Sequence, residues 1–247
     1  GIEYLKALKK IKSNINPHTI KRTGSSYHSK NLENRIASAT AIREKIYQEG
    51  LESVKNYLPE KTYYYLKKGI YNQKKIPLNN DFLGMMILST IRKLNTIQLK
   101  KFSEIDNGLE NRIYNESHIS SNLNEFINNI KTKAFTRTRI QRNLLHIFFN
   151  INEKDFKLID RDGPKYIRVL GIKKEREDLL SRVNKESSLK VIINPAEYLK
   201  EINIKSKDPL IRSLSFDIIA TDIYSLLYKN PAFRQGHKDF TTPLIKY

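Results

Sequence analysis

The spacing of apolar residues predicts helices through most of the chain, beginning close to residue 1. Residues 2–12 carry an apolar stripe and place lysines on the remaining face, which is the repeat of an amphipathic helix. The stripe consists of Ile2, Leu5, Leu8 and Ile11. A brief strand is predicted at 18–21, where Thr19 and Ile20 follow a Pro-containing break. A second helix is predicted from about 39 to 48, because Ser38 is a suitable N-cap and Gly50 a suitable stop.

From residue 51 onward the pattern is almost entirely helical. Residues 81–94 form the most apolar stretch and predict a core helix, and residues 209–228 predict a long helix. Two β-branched stretches, 166–172 and 189–194, predict short strands. The tail, residues 231–247, has no clear repeat and is expected to be irregular.

These elements predict a mainly α protein built in two parts. A small α/β piece is expected at 1–57 and a helical body at 58–247. A length of 247 residues suits one large domain or two smaller ones. No run approaches the roughly 18 apolar residues of a membrane-spanning helix, so no membrane partner is expected.

The charge balance indicates a polyanionic partner. The chain has 45 Lys+Arg against 26 Asp+Glu, a net charge of +19, and such an excess attracts nucleic acids. The alternative is a Lys-rich composition inherited from an AT-rich genome, which explains Lys in place of Arg but not the excess over acidic residues. The absence of cysteine excludes disulfides, thiolate metal sites and Cys nucleophiles. The five histidines are scattered, so no metal site is expected.

The segment IASATAIR, residues 36–43, has the features of a phosphate-binding turn. Small residues allow the backbone to approach a phosphate, hydroxyls can donate hydrogen bonds to it, and a helix N-terminus favours an anion. Arg43 falls one turn into the predicted helix, and Arg22 lies upstream at the end of the predicted strand. The candidate phosphate ligands are Arg22, Ser38, Ala39, Thr40 and Arg43. The alternative is an ordinary Ser-capped helix with a surface arginine.

Residues 131–146 combine a cationic face with an apolar stripe, which suits a helix that grips an RNA backbone. The stripe is Ile140, Leu144 and Ile147, and Phe135 and Tyr27 are candidates to stack on an unpaired base. The candidate RNA-binding residues are Lys131, Lys133, Arg137, Arg139 and Arg142. The alternative is a solvated charged face without a partner.

Four further features carry weaker signals. His28 could contact ATP or be structural, and Arg112 could contact RNA or brace a helix junction. His146 lies beside the apolar stripe and is predicted to be a core histidine. The tyrosine run at 63–65 is predicted to be helix packing.

Five motifs together resemble the bacterial tRNA(Met) cytidine acetate ligase family, whose members are HxGH nucleotidyltransferase-like. The motifs are TIKRTGSSYHS, IASATAIR, GLENRI, KTKAFTRTRIQRNLLHI and YIRVLG, in this order. IASATAIR resembles the second signature of the HxGH superfamily, whereas the first signature is missing: Gly236-His237 lacks the other histidine. The resemblance implies that this chain is the C-terminal portion of a longer enzyme, in which 1–57 completes a Rossmann-like ATP-binding domain and 58–247 binds tRNA.

The resemblance also implies the chemistry. Family members are expected to activate acetate with ATP to acetyl-adenylate and to acylate N4 of the wobble cytidine of elongator tRNA(Met), in the cytoplasm. No catalytic residue can be assigned here, and any Mg²⁺ that accompanies ATP is expected to be held outside this chain. This chain alone is expected to be inactive. Two alternatives stay open: another HxGH-type nucleotidyltransferase that makes a dinucleotide cofactor, and a non-catalytic RNA-binding helical module.

Overall fold

A computed structural model describes residues 1–21, 37–77 and 81–247, and these fall into two compact units. The first unit comprises Gly1–Leu66 and the second Lys67–Tyr247. Helices dominate both units, so the predicted mainly α class is confirmed. Within the described residues, no helix is long and apolar enough to cross a membrane.

The first unit is built from short helices. Helices α1 (Ile2–Lys10) and α2 (Ala39–Glu49) are followed by a 3₁₀ helix, Leu51–Tyr57, and by α3 (Glu60–Lys67), which runs across the boundary between the units. The 3₁₀ helix packs against α2, and both contribute apolar residues to a small core. The buried residues there are Ala41, Leu51 and Val54.

The predicted strand at 18–21 was wrong. Residues 18–21 have no regular secondary structure and lie exposed, and the Ile20 side chain is 96% exposed. A strand needs a hydrogen-bonded neighbour, and the described part of the first unit contains no other strand. β-branched residues alone therefore did not produce an extended element here.

Five helices of the second unit enclose its main hydrophobic core. They are α4 (Asp81–Arg92), α5 (Thr96–Leu99), α6 (Leu109–Ile119), α7 (Leu123–Ile130) and α8 (Arg137–Phe148). A one-turn π-helix, Lys68–Asn72, precedes them. The predicted core helix at 81–94 is α4, whose Ile87, Leu88 and Ile91 are buried. Gly84 allows α7 to approach closely, because a Cβ at this position would lie 2.9 Å from Leu123 Cβ.

The remaining residues form a second layer with short parallel strand pairs. Its helices are α9 (Glu153–Asp160), α10 (Asp178–Glu186), α11 (Pro209–Ser225) and α12 (Lys238–Thr241). Its strands are β1 (Tyr166–Arg168), β2 (Gly171–Ile172), β3 (Lys190–Ile192) and β4 (Ile245–Lys246). Strand β1 pairs with β3, and β2 pairs with β4. A separate cluster around Ile192, Leu214 and Ile218 fills the space between β3 and α11.

The predicted elements of this layer were largely found. The strands predicted within 166–172 and 189–194 are confirmed, and the long helix begins at the predicted Pro209. The expectation of an irregular tail was wrong, because α12 and β4 lie within it. Strand β4 forms only through its pairing with β2, more than seventy residues earlier, so no local pattern could reveal it.

Candidate functional site

The N-terminus of α2 has the geometry expected of a capped helix. Ser38 is in an extended conformation, and its Oγ accepts a hydrogen bond from the Ala41 N–H at 3.0 Å. The Ile42 N–H reaches the Ser38 carbonyl at 3.0 Å. Because the first N–H groups of a helix have no intrahelical partner, those of Ala39 and Thr40 need another acceptor. Ser38 therefore acts as the N-cap of α2, which is the structural alternative considered in the sequence analysis, in addition to any contact with phosphate.

The surface of this helix start suits an anion. Ala39, Thr40 and Arg43 are exposed, whereas Ser38 is buried. The first turn of α2 carries no acidic residue that would repel a phosphate. The fifth predicted ligand, Arg22, lies outside the described residues, as do Tyr27 and His28.

The second candidate site lies on α8, which has the predicted division into two faces. Ile140, Leu144 and Ile147 are each 1% exposed and belong to the main core. This burial fixes the rotation of the helix and turns Arg139 and Arg142 toward the loop between α5 and α6.

The arginines of α8 are held by groups of the protein itself. Arg142 Nη2 pairs with the Glu104 carboxylate, and Arg139 Nη2 lies 3.0 Å from the Glu104 carbonyl and 3.4 Å from Asp106 Oδ1. Arg137 donates to the side-chain oxygens of Asn124 and Asn128, at 2.9 and 3.0 Å. Sequence reasoning missed Glu104, which lies in a turn at φ 61° and has no periodic pattern to reveal it.

The two lysines of this candidate site are less restrained. Lys131 and Lys133 lie in the exposed link between α7 and α8. Neither has an ion pair or a side-chain hydrogen bond with any residue that the structure describes. Of the five predicted RNA-binding residues, these two can therefore meet a phosphate without first leaving a protein partner.

Two interpretations of aromatic residues were wrong. Phe135 is 9% exposed and belongs to the main core, so its ring cannot stack on a base in this conformation. The run at 63–65 is not all helix packing, because Tyr64 and Tyr65 are 59% and 66% exposed. Their rings contact each other edge to face at 5.5 Å.

Two other residues have mainly structural surroundings. His146 packs on the Phe156 ring at 4.9 Å between centroids, and burial, followed by the charge of Arg142, lowers the pKa of its imidazole. Arg112 donates to the Asn129 carbonyl at 2.9 Å and so links α6 to α7. This is the helix-bracing role that the sequence analysis considered for it. The described residues contain no group of three His, Asp or Glu that could hold a metal ion.

Comparison with known proteins supports the resemblance found in the motifs. A family model described as HIGH Nucleotidyl Transferase matches residues 1–239. A tRNA(Met) cytidine acetate ligase of Halothermothrix orenii is 47% identical over 246 residues, covering 100% of this chain and 58% of the relative. The enzyme of the same name from Acetivibrio thermocellus is 36% identical over 250 residues, covering 99% of this chain and 59% of the relative.

Two solved structures have the same fold. The apo form of Thermotoga maritima TmcAL superposes with a TM-score of 0.90 at 30% identity, over 99% of this chain and 59% of that protein. The form bound with α-thio ATP has a TM-score of 0.84 at 30% identity, over 99% and 58%. The chain thus spans a little under three fifths of the proteins it matches, and it belongs to the HIGH nucleotidyl transferase family.

Proposed function

We propose that this chain serves in the ATP-dependent ligation of acetate to N4 of the wobble cytidine of elongator tRNA(Met). Acetate would attack the α-phosphorus of ATP and release pyrophosphate, forming acetyl-adenylate. The cytidine amine would then attack the acetyl carbonyl, lose a proton and release AMP. The observation that carries the proposal is the 47% identity to a ligase of this name over the whole chain.

We assign the phosphate contacts to the start of α2. The Ala39 and Thr40 N–H groups and the exposed Arg43 and Thr40 side chains lie at the positive end of a helix without an opposing acid. Arg22 is proposed to join them, and residues 1–57 would complete the ATP-binding domain. The binding of α-thio ATP by Thermotoga maritima TmcAL supports ATP as the nucleotide. Any Mg²⁺ that accompanies the nucleotide would be held by residues outside this chain.

The tRNA is proposed to bind the helical body, residues 58–247. The net charge of +19 supports a polyanionic partner. Lys131 and Lys133 are exposed and have no acidic partner within 1–21, 37–77 and 81–247, so they are available to contact phosphates. Arg137, Arg139 and Arg142 would add contacts after exchanging their present partners for phosphates. The compartment consistent with this substrate is the cytoplasm.

The proposal is tested in the full-length protein by replacing one charged residue at the start of α2. Arg43→Ala should weaken binding of α-thio ATP about tenfold or more, because a hydrogen bond to a charged group contributes about 1.5–3 kcal/mol. Lys45→Ala is the matched control, since Lys45 lies on the same helix but pairs with Glu49 at 2.9 Å.

Acetate dependence then decides the reaction. Pyrophosphate release that requires acetate, followed by acetyl transfer to tRNA, is the expected result. Pyrophosphate release that requires a mononucleotide instead would identify a dinucleotide-forming enzyme. Equal ATP affinity in the Arg43 and Lys45 variants would show that the α2 start does not bind the phosphates.

A further inference from the structure

A cavity of about 350 Å³ lies in the second unit, and its lining residues do not include any of α8. Five stretches of the sequence surround it: Lys75, the segment from β1 to β2, Ile193 after β3, the C-terminal half of α11, and the segment that follows α11. Its charged and aromatic lining consists of Lys75, Arg168, Tyr228, Phe233, Lys238 and Asp239. The volume is within the range of small-molecule sites, which is about 300–1,000 Å³.

Backbone hydrogen bonds hold these stretches in place. The Asn230 N–H donates to the Lys74 carbonyl at 3.3 Å, which ties the Lys75 segment to the segment after α11. The Val169 N–H donates to Ile192 O at 3.0 Å, and the Ile245 N–H donates to Leu170 O at 3.2 Å. The cavity is therefore formed by the fold itself and needs no ligand to assemble it.

The cavity favours an anion. Three cations line it against one carboxylate, and that carboxylate is already paired: Arg168 Nη2 lies 3.0 Å from Asp239 Oδ1, with both side chains at least four-fifths buried. Arg168 Nε is buried without a hydrogen-bond partner among the described residues. In the part of the chain that the structure describes, the one side-chain hydrogen bond of Lys238 Nζ is to the neutral Gln235 Oε1, at 3.1 Å. The charges of Lys75 and Lys238 are thus not neutralised by any acid of the cavity.

The cavity also favours a flat ring. Phe233 and Tyr228 provide aromatic surface. Lys75 Nζ lies over the Phe233 ring, 4.0 Å from its centroid, so a base contacts this face of the ring when the lysine turns to a phosphate. Val169 and Ile193 add apolar wall. A bare phosphate would gain nothing from this apolar surface, and a fatty acyl group would gain nothing from the cations. An aromatic base attached to a phosphate uses both, and unpaired bases are held in this way by aromatic side chains beside cations.

We propose that this cavity holds one unpaired nucleotide of bound RNA, with its base against Phe233 and its phosphate beside Lys75 and Lys238. The inference rests on the proposed function, because it requires the helical body to bind RNA. RNA is favoured over a free nucleotide because the cavity belongs to a chain of net charge +19, which attracts the neighbouring phosphates of a polymer.

The first test uses a fluorescent reporter. The 247 residues contain no tryptophan, so Phe233→Trp gives this chain one tryptophan and keeps the aromatic surface. Phe82→Trp is the control, since Phe82 is 57% exposed on α4 and does not line the cavity. Saturating tRNA or a single-stranded RNA should quench the tryptophan at 233 and leave the one at 82 unchanged. Quenching at 233 by CMP or AMP at lower concentrations than by RNA would overturn the assignment to RNA.

The second test measures charge. Lys75→Gln with Lys238→Gln should weaken tRNA binding about five- to tenfold. The log–log salt dependence should become shallower by roughly 0.7–0.9, because both lysines contact the same phosphate. The control, Lys200→Gln with Lys229→Gln, removes two exposed lysines that do not line the cavity. Thermal unfolding confirms that each variant is folded.

The outcomes separate the two proposals. A wild-type protein that binds tRNA, with affinity equally altered in the cavity and control variants, overturns the cavity alone and leaves the proposed function standing. A wild-type protein that does not bind tRNA at all overturns both.

Discussion

Glu104 balances part of the positive charge of α8, and its neutralisation tests the proposal that this helix binds RNA. The Glu104 carboxylate pairs with Arg142 and lies 3.8 Å from Arg139 Nε, with the acid 40% exposed. An arginine that binds a phosphate must give up this partner and leave an acid beside the RNA. Glu104→Gln removes the competing charge and keeps the Glu104 carbonyl, which accepts hydrogen bonds from Arg139 and Asn143.

The expected gain follows from the strength of such pairs. An exposed ion pair contributes about 0.2–1 kcal/mol, and Glu104 faces two arginines. Without these pairs, the free energy of RNA binding should become more favourable by about 0.5–1 kcal/mol after solvent screening. Glu104→Gln should therefore raise tRNA affinity about two- to fivefold, by the relation of about 1.4 kcal/mol per tenfold change. The increase should shrink in high salt, because screening weakens both the pairs and the phosphate contacts.

Fluorescence anisotropy with labelled tRNA over a series of salt concentrations measures this effect. Glu186→Gln is the matched control, since Glu186 pairs with Arg182 at 3.0 Å within helix α10 and its replacement changes the net charge equally. If both variants bind tRNA with the same small increase, only net charge has changed, and α8 is a solvated face.

Two further predictions concern stability. Asp155→Ala should lower the free energy of unfolding in urea by about 2–3 kcal/mol. Arg212 lies 2.6 Å from Asp155, is 12% exposed and would lose this acid, while its bond to the Ser206 carbonyl remains. A loss under about 0.5 kcal/mol would mean that the pair is effectively solvated. Folding lowers the pKa of His146, so below about pH 6.5 the unfolded chain binds more protons than the folded one. The stability that neutral His146 contributes is therefore present above about pH 6.5 and is lost as the pH falls through its pKa in the folded protein. His146→Gln should flatten this dependence in thermal unfolding from pH 7.5 to 5, and an unchanged slope would contradict the assignment.

The local features of the fold could be predicted because neighbouring residues determine them. Ser38 caps α2 through a bond to a residue three positions away, and the stripe of Ile140, Leu144 and Ile147 is buried as its spacing indicates. The strand predicted at 18–21 failed because a strand depends on a partner that the local sequence does not specify.

The non-local features could not be predicted from periodicity. The pairing of Arg142 with Glu104 joins residues 38 apart, and the cavity brings Lys75 beside Phe233, more than 150 residues later. Exposure was also misjudged for Phe135, since an aromatic residue between basic ones looks available for stacking until the core is seen to enclose it.

The net charge of +19 therefore indicates the kind of partner but not the surface that meets it. Arg139 and Arg142, the most suggestive residues of the sequence, have their charge partly balanced by Glu104 and Asp106. Lys131 and Lys133 have no such acidic partner among the described residues. If RNA binding follows unneutralised charge, replacing the two lysines should weaken it more than replacing the two arginines. This order reverses the one that guanidinium chemistry alone would suggest, since arginine is otherwise the stronger phosphate ligand.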